Sequence, residues 1–213
     1  MLKQFESRLI AGFHDGQLAA GPAHAPNPGA GSRTGGGLDA WSSIAANHRY
    51  NNLLWDEEDK ARRTDVGPDA IAHGKRLIDR YNQKRNDAVE AIDEALLFLL
   101  AAAPAAANAR LHSETAGAMI DRLSILSLKI FHMREQSCRA GASAGHLTRC
   151  AAKLARLNTQ RADLCACFDQ LLQDASAGRA YFKLYRQFKM YNDPALNPYL
   201  YGRRRDGAGG AAP

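Results

Sequence analysis

The stretch His48–Arg63, HRYNNLLWDEEDKARR, decides how the chain is read, because it has helical periodicity yet sets polar groups where a helix turns to its core. With Trp41 fixing the phase at about 100° per residue, Ile44, His48, Asn52, Trp55, Asp59 and Arg62 share one stripe. Imidazole, amide and carboxylate groups are costly to bury alone, so other segments must supply donors and acceptors.

Working outward, this helix extends from about Leu38 to Arg63, opened by Asp39 or Ser42 and closed by TDVGP. Pro68 starts a second helix that reaches Ala103, ahead of Pro104. Its apolar stripe, Ile71, Ile78, Val89, Ile92, Leu96 and Leu100, is interrupted by Asn82 and Arg85 and flanked by Asn86. The short connection predicts an antiparallel hairpin. SETAGAMIDRLSILSLKIFHMREQ, from the expected N-cap Ser113, is apolar on most sides and reads as the central helix, with Gly117 marking a close crossing. A fourth helix spans about His146–Asp174, and GRAYFKLYRQFKMYNDP (178–194) reads as a fifth, basic and aromatic. The expected fold is therefore all-α, an antiparallel bundle of four long helices plus a shorter C-terminal one. It occupies 38–201, between a flexible segment at 1–37, in which Leu2, Phe5, Leu9 and Phe13 allow a short amphipathic helix over 1–18 weakened by Gly12 and Gly16 and which is Pro/Gly-rich from residue 20, and a disordered tail at 202–213.

No apolar run approaches the roughly 20 residues of a membrane span, and the first residues lack a hydrophobic signal core. A cytoplasmic location is expected, with association at the periphery of an inner membrane left open. Cys138, Cys150, Cys165 and Cys167 have no metal-ligand spacing, so reduced thiols are expected and neither a metal nor a cofactor is. Residues 38–101 carry 12 acids to 9 bases, and 141–213 carry 11 bases to 5 acids. The basic half suits an anionic partner, but its short clusters form no continuous phosphate-tracking stripe, so nucleic acid is not expected.

Reflecting the first helix through a turn near Val66 sets His48 opposite residue 84. A second reflection near Ala107 sets that level opposite 129–132. His48, Asn82, Arg85, Asn86, Lys129 and His132 would then form one polar belt, while Asp59 alone of the acidic run points inward. Such a belt is either a structural network or an anion pocket. In the pocket, Arg85, Lys129 and Arg122 would bind phosphate, Asn52 and Asn82 would read hydroxyls, and Glu114 or Asp121 near His132 would supply acid/base chemistry.

Four segments, HRYNNLLWDEEDKARR, IDRYNQKRNDAVEAIDEALL, SETAGAMIDRLSILSLKIFHMREQ and YNDPALNPYLY, together resemble a bacterial family known as a domain of unknown function, number four-two-five-four in its series. Its members are often encoded beside glycosyltransferases for lipopolysaccharide or other surface glycans. The resemblance thus implies a place in surface-glycan biosynthesis and implies no catalytic residue. Two readings stay open at this point. One is an enzyme or binder of a phosphorylated sugar using the belt. The other is a non-catalytic partner or scaffold of a glycosyltransferase, docking through Phe182, Tyr185 and Phe188 with Lys183, Arg186 and Lys189 at the rim.

Overall fold

The computed structural model describes residues 2–21, 39–187 and 193–198. A 3-10 turn, Lys3–Phe5, precedes five helices: α1 (Ser7–Ala20), α2 (Ala40–Ala61), α3 (Pro68–Leu100), α4 (Ala116–Ser137) and α5 (Ala144–Ser176). The all-α class holds. Two-residue strands β1 (Arg110–Leu111) and β2 (Ala180–Tyr181) pair in parallel.

The helix starts follow local chemistry. Asp39 accepts from the Trp41 amide at 3.1 Å, Ser143 Oγ from the His146 amide at 3.3 Å, and Pro68 opens α3. Thr115, two residues past the expected Ser113, caps α4 through the Ala118 amide at 3.2 Å. Across the α2–α3 hairpin the rings of Tyr50 and Tyr81 lie 6.2 Å apart, and a Cβ on Gly74 would sit 3.8 Å from Glu57 Oε2. Both pairs mirror through Val66, as the sequence predicts. The acidic run forms short-range ion pairs, Glu57 with Lys60 and Glu58 with Arg62.

Helix α4 is the centre of the molecule and packs against α1, α2, α3 and α5. Ile120 and Leu123 on it are fully buried, as are Ser124 and Ser127. Gly117 makes the α3 crossing possible, since a Cβ there would lie 2.5 Å from the Val89 carbonyl oxygen.

The structure differs from the sequence expectation at both ends. The short helix that the sequence allows in the N-terminal segment forms as α1, and it docks on α4 and α5 instead of standing loose from the bundle. Phe5 and Ile10 are buried, Trp41 stacks on Phe5 at 6.0 Å, and Asp169 of α5 accepts from the Ser7 amide at 2.8 Å and its hydroxyl at 2.6 Å. Gly12 and Gly16 lower helix propensity, but burial of large apolar side chains at roughly 1.5–3 kcal/mol each outweighs it. At the other end, residues 178–187 form no fifth helix. Gly178 turns at φ +70, where a Cβ would meet the Pro104 carbonyl oxygen at 2.9 Å. The chain then extends, with the Arg110 amide donating to Arg179 O at 2.9 Å and the His112 amide to Tyr181 O at 2.8 Å. Residues 22–37, Phe188, Lys189 and the tail from 202 lie outside the described residues.

Gly117→Ala should lower stability by about 1–3 kcal/mol through overpacking against α3. A urea-unfolding midpoint equal to that of the parent would contradict the close crossing.

Candidate functional site

The polar residues of α2 separate into two places. The first is a buried seam on α4. Asp121 Oδ1 accepts from Asn47 Nδ2 at 2.7 Å and Asn51 Nδ2 at 2.8 Å, and Asn51 also donates to Ser124 Oγ at 3.0 Å. His48 Nδ1 meets the same Ser124 hydroxyl at 2.8 Å, and its ring stacks on His14 of α1 at 4.5 Å between centroids. Beyond them Arg161 of α5 bridges Asp15 at 2.8 and 2.9 Å and reaches Ser127 at 3.5 Å. Four helices are thereby joined through side chains.

Both ring nitrogens of His14 are buried without a partner among the described residues. Burial holds His14 well below its ordinary value of 6.5, reinforced by the neighbouring His48 and Arg161 charges. Burial also lowers His48 to about 4, with Asp15 opposing the shift in part. The pair is therefore neutral near pH 7. Two stacked neutral imidazoles pack as rings, and the seam they complete is closed.

The second place is open. A groove of about 450 Å³ lies between α2, α3 and α4, lined by Asn51, Trp55, Glu58, Asp59, Arg62, Asn82 and Arg85, with Ile125 and Leu128 of α4 as its apolar part. Arg85 Nη2 donates to Asn86 Oδ1 at 3.2 Å, whereas its buried Nε has no partner among the described residues. Asn86 is otherwise engaged, giving its amide hydrogen to Gln187 Oε1 at 2.7 Å. The groove thus combines a guanidinium with a free N–H, amides able to read hydroxyls, carboxylates and an indole. Chemically it can hold a polar, partly anionic molecule of modest size.

Residues 41–184 match the family described as "Protein of unknown function (DUF4254)". The chain belongs to that family. No curated protein and no solved structure matches it. The family region contains α2 to β2, hence the whole groove and most of the seam, but not α1 with His14 and Asp15. No helix among the described residues is long and apolar enough to cross a membrane.

The single belt expected from the sequence does not form. The first reflection is right, but Gly117 faces Val89 and Asp93, so the second is displaced by one to two turns. Arg85 therefore looks at Ile125 and Leu128 rather than at Lys129 and His132. Nor do the three acid/base candidates meet. Asp121 is in the seam, Glu114 holds Arg122 through two contacts of 2.8 and 2.9 Å, and His132 stacks on Trp55 at 4.6 Å. Asp121 and His132 are eleven residues apart on α4, about 16 Å along its axis. Asn52 bonds to the His48 carbonyl at 2.9 Å, and Lys129 is exposed. Asp59 is exposed on the groove rim beside Arg62, a correction to its expected inward direction.

The phase of α2 explains that correction. Its buried positions are Ala40, Ile44, Asn47, His48, Asn51 and Leu54, a stripe one residue away from Trp41, which is half-buried against Phe5 and Phe13 of α1. The 40, 44, 47, 51, 54 spacing was present in the sequence and would have found Asn47 and Asn51. His14, Asp15 and Arg161 carried no comparable signal.

Because the folded value of His48 lies below its unfolded one, the unfolded chain takes up the extra proton on acidification. Stability should be full above about pH 6.5 and fall as pH drops toward about 4. His14→Leu should flatten that slope at little cost in stability, since it removes a titrating ring whose nitrogens bond to nothing. Urea unfolding at successive pH values checks this, and an unchanged slope would contradict it.

Proposed function

We propose that the protein binds a phosphorylated sugar or a related anionic ligand in the α2–α3–α4 groove, and that it serves lipopolysaccharide or other surface-glycan biosynthesis from the cytoplasmic side. The observation that carries the ligand class is the Arg85 guanidinium, whose buried Nε has no partner among the described residues, at a groove whose other polar groups are amides, carboxylates and Arg62. A buried donor left unmade costs about 1–3 kcal/mol, and a phosphate or carboxylate oxygen would recover it. Asn82 suits sugar hydroxyls, Glu58 and Asp59 at the rim can accept from them, and the Trp55 indole offers a flat apolar wall. The glycan pathway follows from the neighbourhood in which the family's members are encoded. In this reading the two antiparallel hairpins pack as a bundle that serves as scaffold for the groove.

The reading is of binding, and among the described residues no carboxylate–histidine pair lines the groove beside Arg85. The alternative, a non-catalytic partner of a glycosyltransferase, loses the ridge first expected to carry it. Among the described residues of that ridge Phe182 is buried and Tyr185 exposed, and Arg186 is held by Glu90 at 3.4 Å and by Glu94.

Arg85→Met is the direct test. Arg85 holds no buried carboxylate, so the substitution should change stability by less than about 1 kcal/mol. Titration calorimetry with a panel of sugar 1-phosphates and nucleoside-diphosphate sugars should find a ligand for the parent protein and a loss of about tenfold or more for the variant. Clear destabilisation with no ligand in the panel would return Arg85 to a structural role.

A further inference from the structure

A second open surface lies on α4 and α5, away from Arg85. At 100° per residue, Arg122, Lys129 and Met133 point about 170° away from the mean direction of Ser124 and Ser127, the residues that face the α1 side. On that reverse side a groove follows the α4–α5 hairpin. Its proximal half, about 660 Å³, runs from His112 to Lys129, and its distal half, about 420 Å³, from Lys129 to Gln136 and Lys153; Lys129 and Gln160 belong to both. On α5 it extends from Lys153 to Cys167, fourteen residues or about 21 Å. Helix α1 packs on both α4 and α5, whereas the groove is lined by those two helices with His112 and Glu114 at one end and Trp55 of α2 at the other.

The distal half has a carbon floor, from Trp55, Met133 and Leu157, between cations on both edges: Lys129 on α4, Lys153 and Arg156 on α5. None of the three has an ion-pair partner among the described residues. Residues 129–160 hold six Lys and Arg against one acid, Glu135. We infer that this groove is the seat of an amphipathic helix of a partner protein, apolar on its inner face and flanked by Asp and Glu.

The geometry favours that occupant over others. A slot of about four turns between helical rims accepts a helix at the usual 8–10 Å spacing, with an apolar stripe entering along it and acids at the edges of the distal half, since the proximal half carries Glu114 and Asp163 beside Arg122 and Lys129. Cations on both rims match charges on both flanks of a helix better than one lipid headgroup. A membrane surface would call for protruding apolar residues, and the exposed large ones, Leu9, Phe98, Leu111, Tyr185 and Leu196, are not on this half. The chain does not supply the acids itself, since 22–38 has one Arg and no acid and 199–213 has three Arg to one Asp.

The test uses the full chain and a fluorescein-labelled helical peptide with Leu at i, i+3, i+4 and i+7 and Glu on both flanks, read by anisotropy. A second peptide has Lys in place of each Glu. The acidic peptide should bind, its affinity should fall with salt, and the Lys peptide should bind at least about tenfold more weakly. Lys153→Glu with Arg156→Glu, both exposed and thus compatible with folding, should weaken the acidic peptide by about tenfold or more, while Arg85→Met leaves it unchanged. Equal binding of the two peptides, or none, overturns the inference. So does flotation with phosphatidylglycerol vesicles in preference to the peptide, which would make the surface a membrane site. A dimer in sedimentation that the double variant dissociates overturns it in favour of a second copy of this chain.

Discussion

Asp121 accepting from both Asn47 and Asn51 is the constraint on which the arrangement depends. A carboxylate facing inward from the central helix is tolerable only while its donors are in place, and breaking such a pair costs more than the pair contributes. The two amides fix the rotation of α2 about its axis. That rotation decides which residues enter the seam and which are left for the groove. His48 is then placed against Ser124 and His14, whereas Trp55, two turns on, comes to the surface between two open grooves.

The same device recurs where helices meet. Asp93 of α3 accepts from the Gly117 amide at 2.6 Å at the start of α4, and Asp169 of α5 does so for Ser7 at the start of α1. In each case a carboxylate from a neighbour satisfies helix-start N–H groups and complements the dipole. Burial raises the Asp93 pKa, opposed by its bonds with Thr115 and Gly117. Packing and capping are thus one interaction at both crossings. This helps explain why α1, weak as an isolated helix, is held so firmly.

What could be read from the sequence was what depends on local spacing. The four long helices, the hairpin about Val66 and the meaning of Gly117 all follow from short-range patterns. Asn82 and Arg85 stand out because each breaks an apolar stripe, and both line the groove, whereas Asp59 lies exposed on its rim rather than inward. The errors arose where distant contacts outweigh local preference. Trp41 was a poor phase marker because it packs on α1, which could not be placed from its own sequence. The loop before α4 shifted the second hairpin. The aromatic run after Gly178 became a strand because residues 110 and 111 stood ready to pair with it. For Arg161, His14 and Asp15, partners lie on three different helices and no periodicity joins them.

The central claim is that the polar residues of α2 and α3 are divided into a closed seam and an open, ligand-binding groove at Arg85. The most direct measurement is the side-chain NMR of Arg85 Nε–H and of the His14 and His48 rings during titration with the sugar phosphate that the calorimetry selects. The account predicts that the Arg85 signal shifts with saturation and that both imidazole signals stay in place. Movement of the imidazoles with an unperturbed Arg85 would contradict it, placing the ligand in the seam.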